Sequence, residues 1–194
     1  MVALALGLVV GIAASGCGPG PGTPTVLLVG DSLLVQSAEQ TQVALEAAGW
    51  NPVIDAHNGA NLIGGYNGEF AWATQMRDLV AVSNPDVVVI QLGTNGCRCE
   101  NPLAAADNLM RAVGGVDLVV WVTIRARTDS PERVSEMNSV ILSTVQRWPN
   151  LVLLDLHGRF QGNGGWVGID GVHFTDEGEV AFARMVTEFV RSAA

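Results

Sequence analysis

The sequence predicts an α/β domain of three layers, α/β/α, built on a doubly wound sheet of five parallel strands. Three observations predict it. Continuous apolar runs of strand length occur at Pro24–Gly30, Asp86–Leu92, Asp117–Ile124 and Asn150–Asp155. A run without polar alternation marks a strand covered on both faces. Segments with apolar residues three and four apart lie between these runs, and the two kinds alternate along the chain. Strict β–α alternation means a parallel sheet closed by right-handed crossovers, with helices on both faces.

Each element has its own justification. Pro24–Gly30 opens the sheet and ends in a glycine. Leu34–Ala48 fits a helix. Asn51–Ala56 is the weakest strand, and Pro52 suits it to a sheet edge, where a missing N–H costs least. Glu69–Val82 and Leu103–Val113 fit helices, the second with Pro102 in its first turn. Val134, Met137, Ile141, Val145 and Trp148 form one helical stripe, preceded by Pro131. Phe182, Ala183, Val186, Phe189 and Val190 form another before the end of the chain.

Composition narrows the function. The chain has 194 residues, enough for one domain with a short appendage. Apolar residues reach 48%, charged residues only 15%, and the formal net charge is −9. The basic footprint of a nucleic-acid binder is therefore missing. All ten basic residues are Arg. Without Lys there is no Schiff base, no Lys-bearing phosphate loop and no Lys general base. Chemistry must then come from Ser, Cys, Asp, Glu, His, Tyr or a metal.

Residues 1–16 read as a leader. Val2–Ala14 is almost wholly apolar but shorter than the ~20 residues needed to span a bilayer. Ala14-Ser15-Gly16-Cys17 resembles a lipobox, in which Cys17 is lipidated; cleavage of an ordinary secretory signal is the other reading. Both place the mature protein outside the cytoplasm, with a lipid anchor as the only membrane attachment. Residues 17–25 read as a flexible tether and 26–194 as the folded domain. Lipidation of Cys17 leaves Cys97 and Cys99 as a pair. Export permits a disulfide between them, and two thiols alone make no zinc site.

In open parallel sheets, ligands bind beyond the C-terminal strand ends. Residues 30–33, 56–69, 93–101, 125–130 and 156–174 fall there. Ser32, in Gly30-Asp31-Ser32-Leu33, follows the first strand and opens a helix, where its backbone N–H and the helix dipole face developing negative charge. A helix cap explains the same residues. Asp170-Gly-Val-His173 puts an Asp three residues before a His, a spacing with which the carboxylate can orient the imidazole. A loop His beside a helix-entry Asp is the alternative. Asn95, in Gly93-Thr94-Asn95, and the N–H of Gly59 offer further donors, and each also suits a turn.

These blocks, in this order, resemble the SGNH hydrolases, the GDSL esterase/lipase family: GDSL at 30–33, Gly59 after the second strand, GTN at 93–95, and DGVH at 170–173 running on to Phe174-Thr-Asp-Glu-Gly178. The resemblance covers about residues 24–192 and implies the flavodoxin-like SGNH hydrolase fold. It implies Ser32 as nucleophile, His173 as general base and then acid, Asp170 as its orienting partner, and an oxyanion hole of the Ser32 N–H, the Gly59 N–H and the Asn95 amide. It implies no metal and no organic cofactor, and a monomer is expected. One departure is Gly96, where the family often has Asp. A Cys97–Cys99 bridge is the candidate replacement support for that loop. The Gly-x-Ser-x-Gly elbow of α/β-hydrolases is absent.

Candidate substrate contacts are Asp31, Leu33, His57, Arg125, Trp166 and Val172. For His57 a packing role competes, and for Arg125 and Arg127 an ion pair with one of the many carboxylates does. His157 reads as structural. Gly158–Gly168, with Phe160 and Trp166, reads either as a flap over the acyl pocket or as a plain connection holding one buried Trp; Gly64, Gly65, Tyr66 and Gly68 form a second such loop. The function expected is a secreted serine esterase for short acyl, glycan O-acetyl or lipid esters. Acyl transfer from the same site and a non-catalytic binding protein on the same fold are the alternatives. A nucleotide or phosphate binder is disfavoured by the first loop, which lacks a Gly-rich cradle.

Overall fold

The structure, a computed structural model, describes residues 22–125 and 130–194. The segment read as a leader, most of that read as a tether, Cys17 and Arg127 lie outside the described residues. Five strands form one parallel sheet in the order β2-β1-β3-β4-β5: β1 Thr25–Gly30, β2 Asn51–Ala56, β3 Val87–Gln91, β4 Leu118–Val122 and β5 Leu151–Leu154. β2 takes the edge, as Pro52 suggests.

The helices are α1 Ser32–Gln36, α2 Ala38–Ala47, α3 Trp72–Ser83, α4 Pro102–Ala112, α5 Pro131–Val145, α6 Leu156–Phe160 and α7 Asp176–Ala193. Each central strand carries two apolar faces. Leu27 and Val29 of β1 join Trp72 and Met76 of α3, Leu109 of α4 and Met137 and Ile141 of α5 in one core. Val26 and Leu28 join Leu34 of α1, Leu45 of α2, Phe160 of α6 and Phe182 and Val186 of α7 in the other. Two cores on opposite faces make the three layers, and they require the central strands to be apolar throughout.

Three expectations are corrected. The helix read as Leu34–Ala48 begins at Ser32 and breaks at Ser37. The Ser37 hydroxyl donates to the Leu33 carbonyl at 2.8 Å, the local back-bonding by which Ser competes with regular helix. The helix read from Glu69 starts at Trp72, because Gly65 N–H and Trp72 N–H first close a turn onto the Phe70 and Ile63 carbonyls. The connection 158–168 is partly helical. Asp155 caps α6 through the Gly158 N–H at 2.8 Å, and a single 3-10 turn covers Gly164–Trp166.

The register places the site. Gly30 lies opposite Ala56 on one side and Gln91 on the other, so β1, β2 and β3 end at one level. Asp31 N–H donates to the Gln91 carbonyl and His57 N–H to the Gly30 carbonyl. The residues that follow these strands therefore emerge together at one edge.

Candidate active site

Ser32 is the first residue of α1 and is half-buried. Gly30 makes its position reachable: a Cβ there would fall 2.6 Å from the Leu34 Cβ, so only glycine lets α1 turn this closely onto β1. Asp31 caps the helix, its carboxylate accepting from the Leu33 N–H at 3.1 Å. Asp31 is fully buried, and burial pushes its carboxyl up to about 6, with hydrogen bonds from Leu33, Thr94 and Gln91 offsetting part of that. Leu33 points into the core formed with α7.

His173 arrives from the far end of the chain. Its Nε2 lies 3.0 Å from the Ser32 Oγ, and its Nδ1 lies 2.7 Å from an Asp170 carboxylate oxygen. The other Asp170 oxygen accepts the backbone N–H groups of Val172 and His173 at 2.9 and 3.0 Å. The hydrogen bond to His173, followed by those two backbone donors, holds the Asp170 carboxyl down at about 2. An ionised Asp170 requires Nδ1 to carry the proton, which leaves the Nε2 lone pair facing the Ser32 hydroxyl.

The loop bearing this pair is braced from several sides. Val167 and Phe174 form an antiparallel bridge at its neck, and Gly168 N–H donates to the His173 carbonyl at 2.8 Å. Thr175 caps α7 through the Gly178 N–H. Trp166 packs its ring on Phe160, with centroids 5.0 Å apart. Arg125 donates to the Gly171 carbonyl within the same loop. Val172 spends its N–H on Asp170.

The oxyanion candidates converge too. Gly59 has φ of +72°, a left-handed conformation that glycine adopts without strain. Among the described residues, neither the Ser32 N–H nor the Gly59 N–H has a hydrogen-bond acceptor. The Asn95 amide donates one N–H to the Ala60 carbonyl at 2.8 Å, and an amide carries two. Leu62 N–H donates to the Gly96 carbonyl at 2.9 Å. These two bonds stitch the Gly59 segment to the Asn95 segment. Cys97 and Cys99 are disulfide-bonded, with Cα atoms 5.2 Å apart, immediately beyond Asn95.

Two histidines stand outside this relay. His57 pairs with Asp55 at 2.8 Å, contacts Gln75 and lies against the Phe70 ring at 4.4 Å. His157 bonds the Ile124 carbonyl and Gln161. Gln36 was missed in the sequence. Its amide donates to the Phe174 carbonyl at 2.8 Å and accepts the Phe174 N–H at 3.0 Å, clamping α1 to the residue after His173. Its one signal was a polar residue four positions after Ser32, hence on the same helical face.

Residues 28–181 match the GDSL-like lipase/acylhydrolase family. The chain belongs to that family. No curated protein matches this GDSL-family chain in sequence. Solved structures do match its fold. The C-terminal catalytic domain of peptidoglycan O-acetyltransferase A from Streptococcus pneumoniae superposes with a TM-score of 0.66 at 17% identity, covering 88% of this chain and 94% of that one. A carbohydrate esterase family 3 protein from Talaromyces cellulolyticus gives 0.67 at 19% identity, with coverage of 87% and 97%. The esterase EstA from Pseudoalteromonas sp. gives 0.66 at 14% identity, with coverage of 87% and 97%. The GDSL-family chain thus has the SGNH hydrolase fold, and its family supports hydrolysis or transfer at ester bonds.

Proposed function

We propose that this chain is an exported serine esterase that cleaves small carboxylic esters through Ser32, His173 and Asp170. The observation that carries the proposal is the unbroken hydrogen-bond relay from the Ser32 Oγ through the imidazole to Asp170. Ser32 Oγ attacks the ester carbonyl carbon while its proton passes to His173 Nε2. The carbonyl oxygen, now negative, takes hydrogen bonds from the Ser32 N–H, the Gly59 N–H and the second Asn95 amide hydrogen. His173 returns the proton to the departing alcohol oxygen, leaving an acyl-enzyme on Ser32. Water then attacks that acyl group with His173 as base, releasing the carboxylic acid and restoring the Ser32 hydroxyl. Each oxyanion donor is worth roughly 10²–10³ in kcat.

The side chains of His173 and Asp170 are 45% and 50% exposed. Water can reach a site this open, which suits the hydrolysis proposed, and the same opening admits an alcohol acceptor. An open site also suits short acyl groups, O-acetyl esters of glycans included. Fold relatives that act as a carbohydrate esterase and as a peptidoglycan O-acetyltransferase support that substrate class.

A fluorophosphonate probe tests the reading. Wild type should gain one phosphonyl adduct on Ser32 by mass spectrometry and hydrolyse p-nitrophenyl acetate, and Ser32→Ala should do neither. A folded wild type that takes no adduct would overturn the proposal.

A further inference from the structure

A polar cleft of about 500 Å³ opens beside Asn95, lined among others by Tyr66, Arg98, Arg133 and Glu136. It adjoins the proposed oxyanion hole directly, since Asn95 belongs to both. Two arginines line it, and nothing in the catalytic reading uses them.

Arg98 is held in place. It lies between the bonded Cys97 and Cys99, with φ of +55°. Its Nη1 donates to the Tyr66 carbonyl at 3.0 Å, and its guanidinium sits 3.8 Å above the centre of the Tyr66 ring. The Tyr66 ring in turn lies over Gly59, 3.5 Å from where a Cβ would stand. Arg133, on α5, lays its stem over Gly96, its Cδ 3.4 Å from the corresponding Cβ position. Among the described residues neither arginine has a carboxylate partner, whereas Arg147 pairs with Asp107 and Arg184 with Glu188. Glu136 is the one carboxylate in the lining, and it forms no ion pair with either arginine. Two positive charges and one negative leave the cleft positive in a chain of net charge −9. Guanidinium groups present planar donor forks matched to carboxylate oxygens, and a fork fixed beforehand loses less freedom on binding.

We propose that this cleft is a specificity subsite for a carboxylate carried by the ester substrate, with Arg98 and Arg133 as its ligands. The proposal rests on the esterase reading. An overall acidic chain slows the approach of free anions, so the subsite acts chiefly on an ester seated at Ser32 and takes a free carboxylate more weakly.

The test compares carboxylates with their carboxamide isosteres in two pairs. Monomethyl succinate against methyl succinamate places the charge on the acyl side. O-acetyl-lactate against O-acetyl-lactamide places it on the alcohol side. In wild type, one pair should favour the acid by about tenfold or more in kcat/KM, mainly through KM, and the preference should shrink with added salt. The Arg98→Gln/Arg133→Gln double variant should bring that ratio near one. Because the readout is a ratio, a general loss of activity cancels. Arg133→Gln alone, at an exposed side chain, should reduce the ratio about threefold and serves if the double variant fails to fold. No acid preference in either pair, or a preference retained in the variants, would overturn the subsite. If wild type hydrolyses neither these esters nor p-nitrophenyl acetate, the esterase reading fails by itself. Calorimetric titration with succinate then decides the cleft: heat in wild type that the Arg133→Gln variant loses upholds an anion subsite, and no heat in wild type removes it.

Discussion

Asp31 and Asp170 flank one site, yet burial pushes the first carboxyl up to about 6 while hydrogen bonds hold the second at about 2. Asp170 stays ionised throughout the useful pH range, which keeps the His173 tautomer fixed. Asp31 behaves oppositely. Between its ordinary value of 3.8 and about 6, the folded state holds a proton that the unfolded chain has lost. Its contribution to stability is complete below 3.8 and is lost as pH rises through about 6, on the order of 3 kcal/mol by neutral pH. Asp31→Asn keeps an acceptor for the Leu33 N–H and removes the titration. Urea melts between pH 4 and 7.5 should show the variant gaining on wild type as pH rises, by a few kcal/mol. Parallel curves would mean that Asp31 carries no such burden. These environments were not legible in the sequence. Gly-Asp-Ser-Leu named the residues, but the burial of Asp31 depends on Gln91 and Thr94, which arrive sixty residues later. Likewise, Arg125 reads as a site cation from its place after β4, and only the folded loop shows it bonding the Gly171 carbonyl.

At the scale of elements, the proposed catalytic contact between Ser32 and His173 depends on how α1 meets the 167–174 loop. The sheet does not set that contact, because α1 and the loop touch through side chains. Gln36 bridges them with both ends of its amide. Gln36→Met preserves length and removes both bonds. It should lower kcat roughly 10–100-fold, as expected for a reacting pair displaced by about 1 Å, with KM little changed. Fluorophosphonate labelling should slow in proportion. An unchanged kcat would show that the Val167–Phe174 bridge and the α7 cap suffice alone. Strands and the long amphipathic helices were readable because period and burial agree there. The α1–α2 break at Ser37 was not, since one hydroxyl bonding back four residues leaves the apolar pattern intact. The short α6 and the 3-10 turn lay in glycine-rich sequence with no period to read.

Over the whole molecule, α7 closes one face of the sheet by packing on α2 and burying Phe182, Val186 and Val190. Each such side chain contributes roughly 1.5–3 kcal/mol. Three of them together approach the entire stability of an ordinary domain, about 5–15 kcal/mol. A chain ending at Thr175 should therefore show no cooperative melting transition by circular dichroism and take no phosphonate label. A cooperative melt of that truncation would show that the remaining core suffices. The SGNH arrangement also has a bearing on synthesis. Ser32 and His173 stand 141 residues apart, and the loop between β5 and α7 is held from both sides. A nascent chain thus carries Ser32 long before it carries His173, and the proposed relay cannot form until the 167–174 loop and α7 have been made and folded. On the proposed reading, the site stays silent towards acyl esters until that closing helix has docked.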